Sequence, residues 1–252
     1  MAIYRLDNPK KIQYLYDQWN ETMIWSYLQG CMGEAFVDHL EKPRSSQIVI
    51  ADFCFFAGIV NKELIKNIHK DFLILVPQDD KWSLAIEEVY GKQVRIYKRY
   101  ALLKEPHVFN RQHLENIVNQ LSSPYKIQKI NKQYYEKILS KQWSKDLCKH
   151  FKNYQDYQLH GLGYVVLYEN EIVAGASSYT YYQNGIEIEI DTRKDHRRRG
   201  LAKSCGAKLI LECLKNNKYP SWDAQNEKSL SLAYQLGYHL DKSYEVYEFT
   251  QE

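Results

Sequence analysis

The chain has 252 residues, of which 44% are hydrophobic and 26% are charged, proportions typical of a folded globular protein rather than a disordered one. Its formal net charge of +3 at pH 7 is too small to indicate nucleic-acid binding by itself. The five cysteines form no C-x-x-C pair and lie in apolar segments, which predicts reduced thiols, a cytoplasmic protein and no zinc or other metal site. No apolar run reaches membrane-spanning length, and the N-terminus lacks the apolar core of a signal peptide.

Strand and helix signals alternate through the first part of the chain. Apolar residues at helical spacing predict two or three short helices between residues 9 and 42, the last of them carrying Phe36 and Leu40. The almost wholly apolar stretch 48–59 predicts a single strand. A helix, a strand, a second helix closed by Gly91 and a further strand follow, so the order is strand, helix, strand, helix, strand.

The strongest boundary signal is Ser122-Ser123-Pro124, because small residues are followed there by a proline. It predicts an N-terminal α/β region at 1–122 and a second domain at 123–252.

The second domain begins with a predicted strand and two helices, the second of them over residues 143–151. A hairpin follows, and Asn184-Gly185, the strongest hairpin signal in the chain, leads into a further strand. Residues 186–192 alternate isoleucine with acidic residues and predict a half-buried strand.

A basic loop separates that strand from a helix predicted to begin at Leu201. Arg197, Arg198 and Arg199 precede Gly200, and cations at a helix N-terminus oppose its dipole by roughly 0.3–1 kcal/mol each. The arrangement therefore indicates an anion, and a helix N-terminus beside a glycine is suited to phosphate. The alternative is a solvated loop in which Asp195 acts as a cap.

Two motifs resemble those of the GNAT acetyltransferase superfamily. Arg197-x-x-Gly200-x-Ala202 is similar to its Gln/Arg-x-x-Gly-x-Gly/Ala loop between a strand and a helix. The family's second motif, Asn-x-x-Ala/Ser-x-x-Leu-Tyr-x-x-x-Gly-Phe/Tyr, is matched by five residues, namely Asn226, Ser229, Leu232, Gly237 and Tyr238.

The resemblance implies an α/β (α+β) fold for residues 123–252, with a mixed, mostly antiparallel sheet and helices on both faces. A smaller α/β half precedes it. Because the order of elements in residues 1–122 repeats in the second half, we predict that this half is a degenerate copy. It lacks an Arg-x-x-Gly-x-Ala loop, so we expect it to have lost the cofactor and to serve as a platform, a lid or a wall of the acceptor pocket.

In the family, the loop amides hold the pyrophosphate of acetyl-CoA, and a splayed central strand bonds the pantetheine arm. The resemblance therefore implies that acetyl-CoA binds to a set of residues on the strand, the loop and the helices. The predicted set is Ile190, Thr192, Arg197, Arg198, Arg199, Gly200, Leu201, Ala202, Asn226 and Ser229.

The candidate catalytic residues are Glu187, Glu189 and Tyr234. Attack on a thioester needs a neutral amine, so a base is useful, and the two glutamates share one face of the strand with Asp191. The alternative is that these carboxylates form the solvated face of an exposed strand. Many family members carry a tyrosine, used to protonate the leaving thiolate, where this chain has Ala233; Tyr234 follows it, rotated by about 100° on a helix.

The expected function is N-acetyltransfer from acetyl-CoA to an unidentified amine by direct transfer. Expected partners are a small-molecule or peptide amine, with a second copy of the chain as a further candidate, and neither nucleic acid nor a membrane. The rival hypothesis is a non-catalytic acyl-CoA-binding or regulatory module. An acyl-cysteine route is disfavoured because Cys205 and Cys213 lie on the apolar helix face, and His160 and His196 are interpreted as surface or structural residues.

Overall fold

The computed structural model describes residues 2–251. These residues form two compact units, one of residues 2–99 with 243–251 and the other of residues 100–242. No helix among the described residues is long and apolar enough to cross a membrane.

The first unit is a mixed sheet with short helices. The strands β1 to β4 pair antiparallel in chain order, β4 pairs parallel with β5, and residues 247–250 pair antiparallel with β5. Its elements are β1 Tyr4–Leu6, α1 Gln13–Tyr16, α2 Thr22–Leu28, β2 Glu34–Val37, β3 Ser45–Ile50, β4 Phe53–Gly58, α3 Lys62–Lys66, β5 Phe72–Pro77 and α4 Asp80–Tyr90, followed by β6 Val94–Leu102, which runs on into the second unit.

Two sequence-based expectations for the first unit were wrong. The apolar stretch 48–59 belongs to a hairpin of β3 and β4 rather than one strand, because Ala51 takes a left-handed conformation (φ 50°) and turns the chain. Phe36 lies in strand β2 rather than in a third helix. An apolar run buried on both faces has no period that reveals a turn within it.

The second unit contains a five-stranded sheet in the order β11-β10-β9-β8-β7, antiparallel throughout except for the pair of β10 and β11. Its elements are α5 Arg111–Asn119, β7 Lys126–Lys129, α6 Lys132–Leu139, α7 Tyr154–His160, β8 Gly163–Tyr168, β9 Glu171–Tyr182, β10 Gly185–Thr192, α8 Leu201–Lys215, β11 Tyr219–Ser221, β12 Asp223–Ala224, α9 Glu227–Leu236 and β13 Leu240–Thr250, whose last residues belong to the first unit.

Helices cover both faces of this sheet, as expected. On one face α5, α8 and α9 enclose a core that includes Ile186, Ile188 and Leu209. On the other, α6 and α7 enclose a core around Leu147 and Tyr157. The helix expected over residues 143–151 is instead a single 3-10 turn, with α7 beginning only after it.

The predicted α/β class with mostly antiparallel sheets is therefore confirmed. Helix α5 lies before Ser122 in the sequence, and its Leu114 and Ile117 pack with α8 in the second unit. The domain boundary between residues 122 and 123 stays a prediction.

Candidate cofactor and catalytic site

The strand β10 loses its neighbour on one side halfway along its length. Strand β11 pairs only with residues 185–187 of β10, and the chain then turns to β12, which pairs with β6 at Tyr100 and Ala101. On its other side β10 pairs with β9 along its whole length. The section 188–192 therefore faces a gap within the second unit.

The backbone of Ile190 points into this gap. The Arg193 amide donates to Val173 O at 2.9 Å, so residues 193, 191 and 189 bond with β9, and the alternation of an antiparallel pair turns Ile190 and Thr192 the other way. The backbone groups of Thr192 already have partners. Its amide donates to Asp191 Oδ1 at 2.6 Å, and its carbonyl accepts from Arg197 Nε at 3.0 Å. Ile190 is therefore the better placed of the two predicted donors for an extended ligand.

The loop after β10 leaves a row of amides without protein partners. Arg198 (φ 63°) and Gly200 (φ 75°) are left-handed, and Gly200 begins α8 without any side-chain cap. Among residues 2–251, no hydrogen bond uses the backbone N–H groups of residues 198–203, and the first turn of α8 contains no acidic residue. A Cβ at Gly200 would meet no atom within 4 Å, so there is open space beside this glycine. The arrangement matches an anion site at a helix N-terminus.

The three loop arginines differ in what they contact. Besides Thr192 O, Arg197 lies near Asp191, with Nη2 3.9 Å from Oδ1. Arg199 donates from Nη1 to the Tyr125 hydroxyl at 2.8 Å. The side chain of Arg198 is exposed and has no partner within the described part of the chain. Two of the three guanidinium groups are thus held at defined positions by other side chains or backbone, whereas that of Arg198 is exposed.

His196 was interpreted from the sequence as a surface or structural residue, and the structure makes it a structural one. The residue is 6% exposed, and its Nδ1 lies 3.2 Å from the Tyr125 hydroxyl. The ring packs edge-on against Tyr125 and against Tyr168, and burial lowers its pKa. Tyr125 was missed altogether, because nothing in its sequence context indicates a contact with residues 71 and 74 positions away.

The acidic residues of β10 lie on the sheet face opposite α8. Glu187 is only 4% exposed, and its partner across the strand pair is Thr180, a fully buried residue whose hydroxyl has no hydrogen-bond partner among the described residues. Glu189 is half-buried and lies on the section of β10 that faces the gap. Asp191 is turned towards Thr192 and Arg197. The alternative of a solvated acidic face therefore does not hold for Glu187.

Burial raises the pKa of Asp191, although the Thr192 amide and Arg197 act in the opposite direction. A carboxyl whose pKa is higher in the folded state binds its proton more tightly there than when unfolded, so its ionisation reduces stability as the pH rises through that range. We expect Asp191→Asn to raise the melting temperature at pH 7 and to match the wild type below the ordinary aspartate pKa of about 3.9. Thermal unfolding at several pH values measures this; a variant less stable at pH 7 would show that the contact with Arg197 dominates.

Helix α9 is capped by the motif residue Asn226. The Asn226 side chain accepts from the amides of Lys228 at 3.0 Å and Ser229 at 3.1 Å, and Gly237 ends the helix in a left-handed conformation. Ala233 is fully buried in the core, whereas the Tyr234 side chain is 48% exposed. The roles of Asn226 and Ser229 in cofactor binding and of Tyr234 as an acid stay predictions.

The cysteines of α8 are poorly suited to nucleophilic chemistry. Burial raises the pKa of both Cys205 and Cys213 to about 12, which keeps the thiols protonated at neutral pH.

In the first unit, the backbone groups at the end of β4 are occupied. Strands β4 and β5 pair in parallel over four consecutive residue pairs. At the end of β4, the Gly58 amide donates to Gln78 Oε1 at 2.9 Å, and the Gly58 carbonyl accepts from Trp82 Nε1 at 3.0 Å. Side chains of this unit therefore occupy both backbone polar groups of Gly58.

Comparisons with known proteins agree with this geometry. A family model described as GNAT acetyltransferase matches residues 13–247. A Bacillus subtilis (strain 168) protein named uncharacterized N-acetyltransferase YdfB is 24% identical in an alignment of 250 residues that covers 92% of this chain and 91% of that protein.

Solved structures are similar over nearly the whole chain. A crystal structure of a GCN5-related N-acetyltransferase-like protein from Streptococcus suis 89/1591 is 42% identical, with a TM-score of 0.93 over 96% of this chain and 98% of that one. A tandem GNAT protein from the clavulanic acid biosynthesis pathway is only 8% identical, with a TM-score of 0.58 over 99% of this chain and 98% of that one, and shows likeness of fold alone.

Proposed function

This chain belongs to the GNAT acetyltransferase family and is an acetyltransferase of that type, and on that premise we propose that it moves an acetyl group from acetyl-CoA to an amine by direct transfer. The observation that carries the proposal is the row of unpartnered amides at residues 198–203 beside the gap along β10. Phosphate oxygens suit these amides, and an extended amide-bearing arm suits the Ile190 backbone.

The residues of the site fit coenzyme A in charge and in shape. Arg199 belongs to the same loop as the unpartnered amides and is held by Tyr125, and Gly200 leaves open space for a close approach. Arg197 fixes the end of β10 by its bond to Thr192 O, which holds the gap and the loop in one arrangement. Acetyl-CoA, when bound, supplies the acyl group as a thioester.

The residues of the second unit would then act on the amine. Glu189 lies on the gap section of β10 and would accept the ammonium proton, directly or through a water, so that the amine attacks as the neutral base. Glu187 is the second candidate for this role. Tyr234 would protonate the departing thiolate if its exposed side chain turned towards the gap; otherwise water serves, since a thiolate is a stable leaving group.

Coenzyme A should raise the melting temperature of the wild type, because a ligand that binds only the folded state stabilises it by about 2.7 kcal/mol at 100 times its Kd. Thermal unfolding with and without coenzyme A measures this, and short DNA and RNA serve as controls expected to have no effect. A melting temperature that coenzyme A leaves unchanged at millimolar concentration would contradict the proposal.

The non-catalytic acyl-CoA-binding module is the second candidate. It is favoured by one observation, the buried Ala233 in place of the tyrosine found in many relatives of this family. Release of free thiol from acetyl-CoA in the presence of a broad panel of amines separates the two functions. Acetyl transfer to any of them supports the enzyme, whereas tight cofactor binding without thiol release supports the module.

We propose further that the first unit is a degenerate copy without a cofactor. The closure of Gly58 by Gln78 and Trp82 supports this, as does its order of elements from β4 to β6. One coenzyme A per chain in a calorimetric titration is the expected stoichiometry, and two would contradict the idea.

A cytoplasmic location is proposed from the five free cysteines, four of them buried. A homodimer is proposed as the assembly to test, by light scattering over a range of protein concentrations. A mass that stays at one chain throughout would exclude it.

A further inference from the structure

A cluster of three rings and one guanidinium lies beside the loop at residues 193–199. The Tyr125 hydroxyl is shared between Arg199 Nη1 at 2.8 Å and His196 Nδ1 at 3.2 Å. The Tyr125 and His196 rings also pack against Tyr168, with centroids 5.3 and 5.1 Å from it. The proposed function gives no role to Tyr125, Tyr168 or His196.

The hydrogen-bond chemistry of the cluster allows one consistent assignment for a neutral histidine. A guanidinium only donates, so the Tyr125 oxygen accepts from Arg199, and its own proton is left to donate to His196 Nδ1. His196 then carries its proton on Nε2, which lies 3.7 Å from Asp195 Oδ2. Burial, which lowers the His196 pKa, favours this neutral form.

Other side chains of the loop at residues 193–199 form hydrogen bonds within the loop. Asp195 pairs with Arg193 through two contacts, at 2.8 and 3.0 Å, and its backbone carbonyl accepts from Arg199 Nη2 at 3.4 Å. The Arg199 guanidinium is therefore held by two acceptors, the Tyr125 hydroxyl and the Asp195 carbonyl. Both acceptors are neutral, so the positive charge of Arg199 is not compensated by a carboxylate bonded to it.

We propose that Tyr125 is a positioning residue for cofactor binding, which holds Arg199 through its hydroxyl so that this cation stands ready for a phosphate group of coenzyme A. The inference rests on the proposed function. A guanidinium fixed before binding loses less side-chain freedom when the phosphate arrives, and it recognises phosphate oxygens with directed hydrogen bonds. A neutral hydroxyl suits this purpose better than a carboxylate, which would compete with the phosphate for the same cation.

The test is calorimetric titration of the full chain with coenzyme A. Tyr125→Phe keeps the ring against Tyr168 and His196 but removes the hydroxyl, and we expect Kd to rise about tenfold. Tyr168→Phe is the matched control, because no described hydrogen bond uses the Tyr168 hydroxyl, and we expect its Kd to equal that of the wild type. Melting temperatures of both variants should lie close to that of the wild type.

A double-mutant cycle shows whether Tyr125 acts through Arg199. We expect Tyr125→Phe to weaken binding in the wild type and to have no further effect in Arg199→Ala, because the group that it positions is then absent. Equal losses in both backgrounds would overturn the inference. A spectroscopic readout accompanies the cycle, since the nitrogen chemical shift of His196 Nδ1 should change in Tyr125→Phe and stay unchanged in Tyr168→Phe.

Titration with coenzyme A lacking its 3′-phosphate identifies the phosphate concerned. If Tyr125→Phe lowers the affinity for both ligands alike, Arg199 binds the pyrophosphate. If it lowers only the affinity for coenzyme A, Arg199 binds the 3′-phosphate. Either result supports the inference. A wild type that binds neither ligand would overturn the proposed function itself. A wild type that binds, with Tyr125→Phe binding equally well, would overturn only the role of Tyr125.

Discussion

Gly200→Glu is expected to weaken coenzyme A binding by about 10²–10³-fold, because it places a carboxylate among the amides that receive phosphate. Two like unit charges about 4 Å apart near a protein surface repel by about 4 kcal/mol, which is enough for a loss of this size. The folded protein should tolerate the side chain, since a Cβ at Gly200 meets no atom within 4 Å. Calorimetric titration measures the change in Kd.

Two controls separate charge from backbone strain in this experiment. Gly200 has a φ of 75°, so any side chain there adopts a left-handed conformation at a cost of about 1–2 kcal/mol. Gly200→Gln shares that cost and the size of the side chain but has no charge. Gly30→Glu introduces the same carboxylate at a φ of 73°, again with no atom within 4 Å, at a glycine outside the loop.

The three variants are expected to differ in their affinity for coenzyme A. Gly200→Gln should retain much more affinity than Gly200→Glu, and Gly30→Glu should bind as the wild type does. A carboxylate at a helix N-terminus interacts favourably with the dipole, so Gly200→Glu should be at least as stable as Gly200→Gln in thermal unfolding. Undiminished affinity in Gly200→Glu would refute the assignment of the loop to phosphate.

The sequence predicted those parts of the site whose signals are local. Signals in a motif act within a few residues: α8 begins at Leu201 as predicted after Gly200, and the motif residues Asn226 and Gly237 cap and end α9. The strand at residues 186–192 followed from its alternation, and the structure places β10 at Gly185–Thr192.

The parts that could not be predicted depend on contacts between distant residues. The bond between Tyr125 and Arg199 joins residues 74 positions apart, and the burial of Glu187 depends on what covers the sheet face. Similarly, the alternation of β10 shows which residues share a face, but only the short pairing of β10 with β11 shows where the gap begins. The hydrogen bonds that the Thr192 backbone forms with Asp191 and Arg197 could not be predicted from the sequence either.

The two glutamates of β10 differ in their position relative to the gap. At Glu187 the strand is still paired with β11, through Ser221, so this residue lies before the point at which the strands separate. At Asp191 the carboxylate is directed to the Thr192 amide and Arg197. Glu189 is the remaining carboxylate on the section that faces the gap, and we infer that it is the base.

Glu189→Gln is therefore expected to lower kcat by about 10²–10⁴-fold at pH 7, while Kd for coenzyme A stays unchanged. The deficit should shrink as the pH rises towards the pKa of the acceptor, about 10.4 for a lysine-like amine, because more of the amine is then neutral without help. Steady-state rates at pH 7 and 9 with an accepted amine, beside Glu187→Gln, measure both effects. If Glu187→Gln shows the larger, pH-dependent loss of kcat, the base is Glu187, on the paired part of β10. If neither variant loses activity, the proton is removed by solvent water.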